Sequence, residues 1–248
     1  MTPRPSFALV LAAAWRLFRR DRELVLRIAG ALVFLPAFAA QLLCDPIPPL
    51  PAAPRDPVAM QAWMDAVVAW GQGNALFYLA ADVVGIYGLA ALAILLAAPS
   101  RPTVGEALRE AGRRLVPFAL LSLVVAVPVG LGLWLFVLPG LYAQARFAAA
   151  TPALAAAPGE GIGGAITTSL RRTRGRGLAL TAAIVTLFLA QWLLAVPLLS
   201  ADEWVRQPSN LNPPVLSLID AGLAAAATAF HLGALLIGVV AYRSSRGT

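Results

Sequence analysis

The segment 116–138 runs for twenty-three residues without one charged side chain. At ~1.5 Å per helical residue it covers ~34 Å, slightly more than the ~30 Å hydrocarbon core of a bilayer. No water reaches a backbone at that depth, so such a segment has to close its own hydrogen bonds as a helix. Similar apolar runs recur along the chain and place spans at 24–43, 75–98, 116–138, 141–157, 178–199 and 215–241. The expected fold class is therefore an all-α polytopic membrane bundle of six transmembrane helices, forming one membrane domain over residues 1–248. Composition points the same way. The chain is 60% hydrophobic and only 12% charged, where a soluble domain carries about a quarter charged residues. Its mean hydropathy is +0.78.

The same composition narrows the chemistry. Cys44 and His231 are the only cysteine and histidine, so neither an intrachain disulfide nor a zinc site built on these residues can form. All nineteen basic residues are arginine. Without lysine there is no P-loop, and Gly161-Ile162-Gly163 follows no strand, so it does not read as a nucleotide loop. No cofactor, metal or catalytic residue is expected. The arginines adjoin apolar runs, which points to a membrane surface and not to nucleic acid.

Between the spans lie shorter helical patterns. Residues 5–20 place Phe7, Val10, Leu11, Ala14, Trp15 and Phe18 on one stripe, with Arg16, Arg19 and Arg20 beside it. Such a helix is expected in the membrane interface, with a plain extension of the first span as the alternative. The stretch 44–57 carries six prolines and excludes helix. Residues 58–70 then read as a short helix with Trp63 and Trp70 on its apolar side, and Asn74 as N-cap of the second span. Thr103 and Glu106 are spaced as a capping box for a helix whose Arg109, Arg113 and Arg114 flank an apolar stripe. Pro139-Gly140 suits a tight reversal before the fourth span. A third stripe, from Ile162 to Leu170, is closed by Arg171, Arg172, Arg174 and Arg176. Asn212 and Pro213 suit the start of the last helix.

Arginines concentrate before Arg22, at 99–115, at 158–177 and in the tail, while the opposing segments hold Arg55 and Arg206 among several carboxylates. The positive-inside rule then places both termini in the cytoplasm. No cleaved leader is expected, because the first apolar run is long enough to span. Three times the chain orders a short helix, an arginine cluster and a helical hairpin. This predicts a threefold internal repeat over about 5–98, 102–157 and 160–242. The arginine clusters (Arg16, Arg19, Arg20, Arg109, Arg113, Arg114, Arg171, Arg172, Arg174, Arg176) serve either to contact anionic phospholipid headgroups or to set topology alone.

The run LPGLYAQARFAAATPAL at 138–154, followed by Ser169-Leu170-Arg171-Arg172-Thr173-Arg174-Gly175, resembles the bacterial YciC-like inner-membrane family. It also resembles the related membrane domain of glycerophosphoryl diester phosphodiesterases. The motif covers about residues 138–178, and Gly161, Gly163 and Gly164 depart from it. The resemblance implies a six-span inner-membrane protein without an established activity, a module that in some relatives anchors a phosphodiesterase domain.

Charged or polar residues inside the spans are costly, ~2.5–3.5 kcal/mol for a charge at mid-bilayer on insertion scales. Counting from the outer helix ends places Asp82, Arg146 and Asp220 at one level, each ~9–10 Å deep. Gln144 and Gln191 are available as hydrogen-bond partners. The set reads either as an ion-pair lock for the bundle or as a polar site, while His231 reads as a packing histidine. The expected function is a non-enzymatic bacterial inner-membrane protein for membrane organisation, anchoring or partner binding. The alternative is a transporter or lipid-handling protein using the Asp82/Arg146/Asp220 level.

Overall fold

In the computed structural model, residues 6–53 and 55–244 are described. Arg4 and Arg246, counted above among the arginine clusters, lie outside them, as do Pro5 and Pro54 of the stretches discussed. Every regular element among the described residues is helical. The order is α1 (Phe7–Arg20), α2 (Arg22–Ala29), α3 (Leu35–Leu43), α4 (Pro57–Ala97), α5 (Val104–Arg113), α6 (Leu115–Leu135), α7 (Val137–Phe147), α8 (Ala150–Ala156), α9 (Gly161–Arg172), α10 (Gly177–Val205) and α11 (Pro213–Ser244). Five helices are long and apolar enough to cross a membrane: Arg22–Leu43, α4, α6, α10 and α11.

The first of these runs through α2 and α3 with a π-helical turn, Gly30–Phe34, between them. Pro36 has no N–H to give a carbonyl one turn back. The widened turn, in which Leu35 N–H reaches Gly30 O, admits the proline without ending the helix. In α4 the expected break at Asn74 does not occur, and one helix continues for 41 residues. At ~1.5 Å per residue it is about 60 Å long, twice a hydrocarbon core. Asn74 is no N-cap. Its Oδ1 accepts from Asp45 N–H at 3.0 Å, and its Nδ2 donates to Trp70 O at 3.0 Å. The Trp63 and Trp70 indoles donate to Pro48 O and Asp45 O. The proline-rich segment, unable to pair its own backbone, is thereby strapped along α4.

The fourth expected span differs most. The chain reverses at Phe136, whose backbone is extended (φ −158°, ψ 143°), and not at Pro139-Gly140. Pro139 instead sits in the first turn of α7, where a missing N–H costs nothing because those donors have no partner within the helix. Residues 141–157 form no single helix. α7 ends at Phe147 and α8 starts at Ala150. Two close approaches hold this region. A Cβ on Gly132 would stand 2.7 Å from Gly140 Cα, and one on Gly238 of α11 would collide with Ala148 O at the α7–α8 break.

The capping box forms as the sequence predicts. Thr103 Oγ1 accepts from Glu106 N–H, and Glu106 Oε2 accepts from Thr103 N–H at 2.8 Å. Asn212 Oδ1 likewise accepts from Val215 N–H. α1 buries Val10, Ala14 and Leu17 and leaves Phe7 and Trp15 exposed, a face rotated from the expected stripe. The three short helices share a packing rule: α5 lies against α4, α9 against α8, and α1 against α11. The bundle therefore has one end where the arginine-bearing helices gather, called the basic end below. α6 and α10 keep most of their apolar surface facing outward.

The α6–α7 crossing generates a paired prediction. Gly140→Ala places a methyl 2.5 Å from Leu133 N and should cost ~1–3 kcal/mol. Gly130→Ala meets nothing within 4 Å and gains ~0.5–1 kcal/mol of helix propensity. Thermal unfolding in detergent should show a lower Tm for the first and an equal or higher Tm for the second.

Candidate functional site at the basic end

A helix leaves its last four carbonyls without a partner. Where those carbonyls are buried, water cannot supply the donors and the chain must. Leu96, Leu154 and Tyr242, one or two residues from the ends of α4, α8 and α11, are all at most 3% exposed. Each carbonyl meets an arginine: Arg243 donates to Leu96 O, Arg114 to Leu154 O, and Arg172 to Tyr242 O at 2.8 Å. A fourth case is Arg146, which donates to Leu170 O at 2.9 Å and Thr173 O at 3.5 Å at the end of α9. A cation at a helix C-terminus also meets the negative end of the helix dipole. Two of these guanidiniums lie over aromatic rings as well, Arg114 over Phe118 at 5.2 Å and Arg172 over Tyr242 at 4.5 Å.

The ten arginines expected to contact lipid therefore divide. Arg16, Arg19, Arg20, Arg109, Arg113, Arg171 and Arg174 are exposed, with Arg20 paired to Asp21 at 2.7 Å. Arg114, Arg172 and Arg176 are half-buried and turn inward, Arg176 donating to Ser244 Oγ at 2.6 Å. The sequence held a signal for this division. Arg114 and Arg172 each stand seven residues beyond a buried alanine, Ala107 and Ala165, so both continue the buried stripe of their helix. Burial lowers the Arg114 pKa from its ordinary value, and Glu110 at 3.8 Å raises it.

The intramembrane level of Asp82, Arg146 and Asp220 does not assemble. Arg146 sits in the last turn of α7 beside Gly177, at the basic end. The reckoning from Gly140 failed because the reversal precedes it and the helix stops at Phe147. An arginine between two aspartates does exist, but it is Arg206. Its Nε is 2.7 Å from Asp202 Oδ2 and its Nη2 3.9 Å from Asp220 Oδ1. The hydrogen bond to Asp202 raises the Arg206 pKa, burial opposes it, and both carboxylates add to the rise. This cluster closes the α10–α11 hairpin at the end away from the arginines. Asp82 is exposed on α4, and Gln191 makes no hydrogen bond among the described residues. Gln144 lines a separate cavity with His231.

Around Arg146 the basic end opens into a cavity of about 790 Å³. Arg146, Arg171 and Arg174 line it with Tyr142 and Thr167, against an apolar wall of Ala143, Phe147 and Leu170. No carboxylate is among the lining residues. Ser169 and Thr173 hydroxyls donate to Arg146 O at 2.8 and 3.3 Å, which fixes α7 to α9 and holds the floor in place. Arg171 reaches Glu160 only through the Thr168 hydroxyl; three guanidiniums with no carboxylate in direct contact, beside apolar surface, can hold a phosphate on a hydrocarbon body. No protein-family model matches the chain, and no curated protein or solved structure matches it.

Adjacent arginines should separate in stability. Arg172→Ala removes the charged donor to Tyr242 O and should cost ~2 kcal/mol, in the range for hydrogen bonds to charged groups. Arg171→Ala, one residue earlier and exposed, should leave the Tm within experimental error. Paired melts of the two variants read the difference.

Proposed function

We infer that this chain is a non-enzymatic bacterial inner-membrane protein that organises the bilayer by holding anionic phospholipid headgroups at its cytoplasmic face. The observation that carries the reading is the cavity lined by Arg146, Arg171 and Arg174, with no carboxylate in its wall. Phosphate oxygens would pair with the guanidiniums, and the glycerol and upper chains would lie on Phe147 and Leu170. Arg146 is already oriented by α9, so it is a fixed donor, whereas Arg171 and Arg174 are exposed and adjust to the headgroup.

The basic end is the cytoplasmic face in this reading, because the arginine clusters collect there. α7 and α8 return the chain from the reversal at Phe136 to the basic end, with a break at Ala148–Ala149, and Arg146 in the last turn of α7 already meets α9 there. A threefold repeat accounts for three further features. Each short helix packs on the helix returning from a hairpin, in cyclic order. The junction residues Asp21 and Arg114 share one backbone conformation, φ −116° and ψ 24° against φ −111° and ψ 18°. Buried Leu17 and Ser169 stand four residues before their junctions at Asp21 and Thr173, and buried Ala111 three before Arg114. This is also the plan that the YciC-like family resemblance implies.

Native mass spectrometry of protein in mixed nanodiscs tests the reading. Wild type should retain phosphatidylglycerol over phosphatidylcholine. Each surface arginine contributes ~1 kcal/mol to anionic lipid, so Arg171→Ala/Arg174→Ala should reduce that retention by roughly twenty- to thirtyfold. Equal retention in the variant, or no preference in wild type, would contradict the assignment.

A further inference from the structure

On the other side of α7 lies a second cavity, of about 330 Å³, between α4, α6, the α7–α8 bend and α11. That volume is at the lower end of small-molecule sites, which run ~300–1,000 Å³. Its wall is mostly apolar, but Ser122, Gln144, Thr151 and His231 also line it. These four side chains come from four different helices, and none makes a hydrogen bond to another described residue. Ser122, Ala126 and His231 are exposed where the cavity opens. At the opposite end Phe118 forms the floor, under the guanidinium of Arg114, which is itself tied to Leu154 O.

These features constrain what fills the space. All four helices carrying the polar groups contribute to the apolar body of the bundle, so the donors have no bulk water beside them. An unsatisfied polar group in such surroundings is costly. A pure hydrocarbon would leave four donors unpaired, and a chain of waters would leave the apolar wall wet. An amphiphile with carbonyl oxygens on a long chain satisfies both surfaces at once. We propose that this cavity binds the acyl-ester portion of a phospholipid, with Gln144, His231, Ser122 and Thr151 donating to its ester oxygens and the acyl chain leaving along the apolar wall through the mouth beside Ala126. Phe147 is the one described residue lining both this cavity and the basic one, which places it between them. The site does not depend on the headgroup reading: it needs no net charge on the lipid.

The test uses the full chain in nanodiscs containing phosphatidylcholine with a diazirine in one acyl chain. Being zwitterionic, this probe does not call on the basic cavity. After illumination, wild type should carry label on peptides holding Ser122, Ala126 and Thr151, and unlabelled phosphatidylcholine should compete it away. Ala126→Trp, which fills the mouth, and Gln144→Leu/His231→Leu, which removes donors without adding bulk, should each reduce that label at least fivefold. Arg171→Ala/Arg174→Ala should leave it unchanged, so that loss of the headgroup site and loss of this one are read separately. Label confined to outward residues of α6 such as Leu123 and Leu131, or cavity label that survives both cavity variants in folded protein, would overturn the proposal.

Discussion

The structure depends on satisfying the last carbonyls of helices that end inside the protein. α4, α8 and α11 all return to the basic end, where Leu96, Leu154 and Tyr242, one or two residues before their last, are nearly inaccessible. Local hydroxyls serve some of these ends, Ser244 Oγ donating to Ala241 O and Thr173 Oγ1 to Ser169 O, and further donors come from elsewhere in the fold: Arg243 to α4, Arg114 to α8, Arg172 to α11 and Arg146 to α9. A guanidinium suits this task because several N–H groups sit in a fixed plane and its charge persists in a buried site. Each bond joins two helices, so the arginines cap ends and set helix positions together.

That constraint explains how one residue type serves two ends. In the Arg113-Arg114 and Arg171-Arg172 pairs, the first member is exposed and the second half-buried. The inward member locks the helix on which the outward member is displayed. The basic cavity follows from this arrangement, since Arg146 holds α9 in place, and α9 and the turn after it carry Arg171 and Arg174 to the same opening. Arg114 plays a comparable double part, capping α8 while lying over the ring that floors the second cavity.

Much of the architecture was legible in the chain because it rests on local rules. Length without charge locates the long helices, Thr103 and Glu106 fix the start of α5, and Asn212 starts α11. The α7–α8 region was not legible, because its path is set by tertiary contact: Gly132 against Gly140, and Gly238 against Ala148. The same holds for Asn74, whose capping chemistry is spent on Asp45 N–H across the α3–α4 connection instead of on its own helix. Counting arginines located the clusters but treated their members alike. Counting depth from Pro139-Gly140 put Arg146 with Asp82 and Asp220, when the chain reverses earlier and Arg206 takes the place between carboxylates. Distance along a helix is a reliable ruler only while the helix is continuous.

The arginines bonded to helix-end carbonyls act through guanidinium geometry and not through charge alone. Exchanging Arg114, Arg146, Arg172 and Arg243 for lysine keeps every positive charge, and so keeps any topology signal. The direct measurement is the unfolding temperature of that fourfold lysine variant beside one with Arg16, Arg109, Arg113 and Arg171 exchanged. The set bonded to helix-end carbonyls should melt markedly lower than wild type, and the set that makes no such bond should not. Equal melting of the two variants would contradict the account.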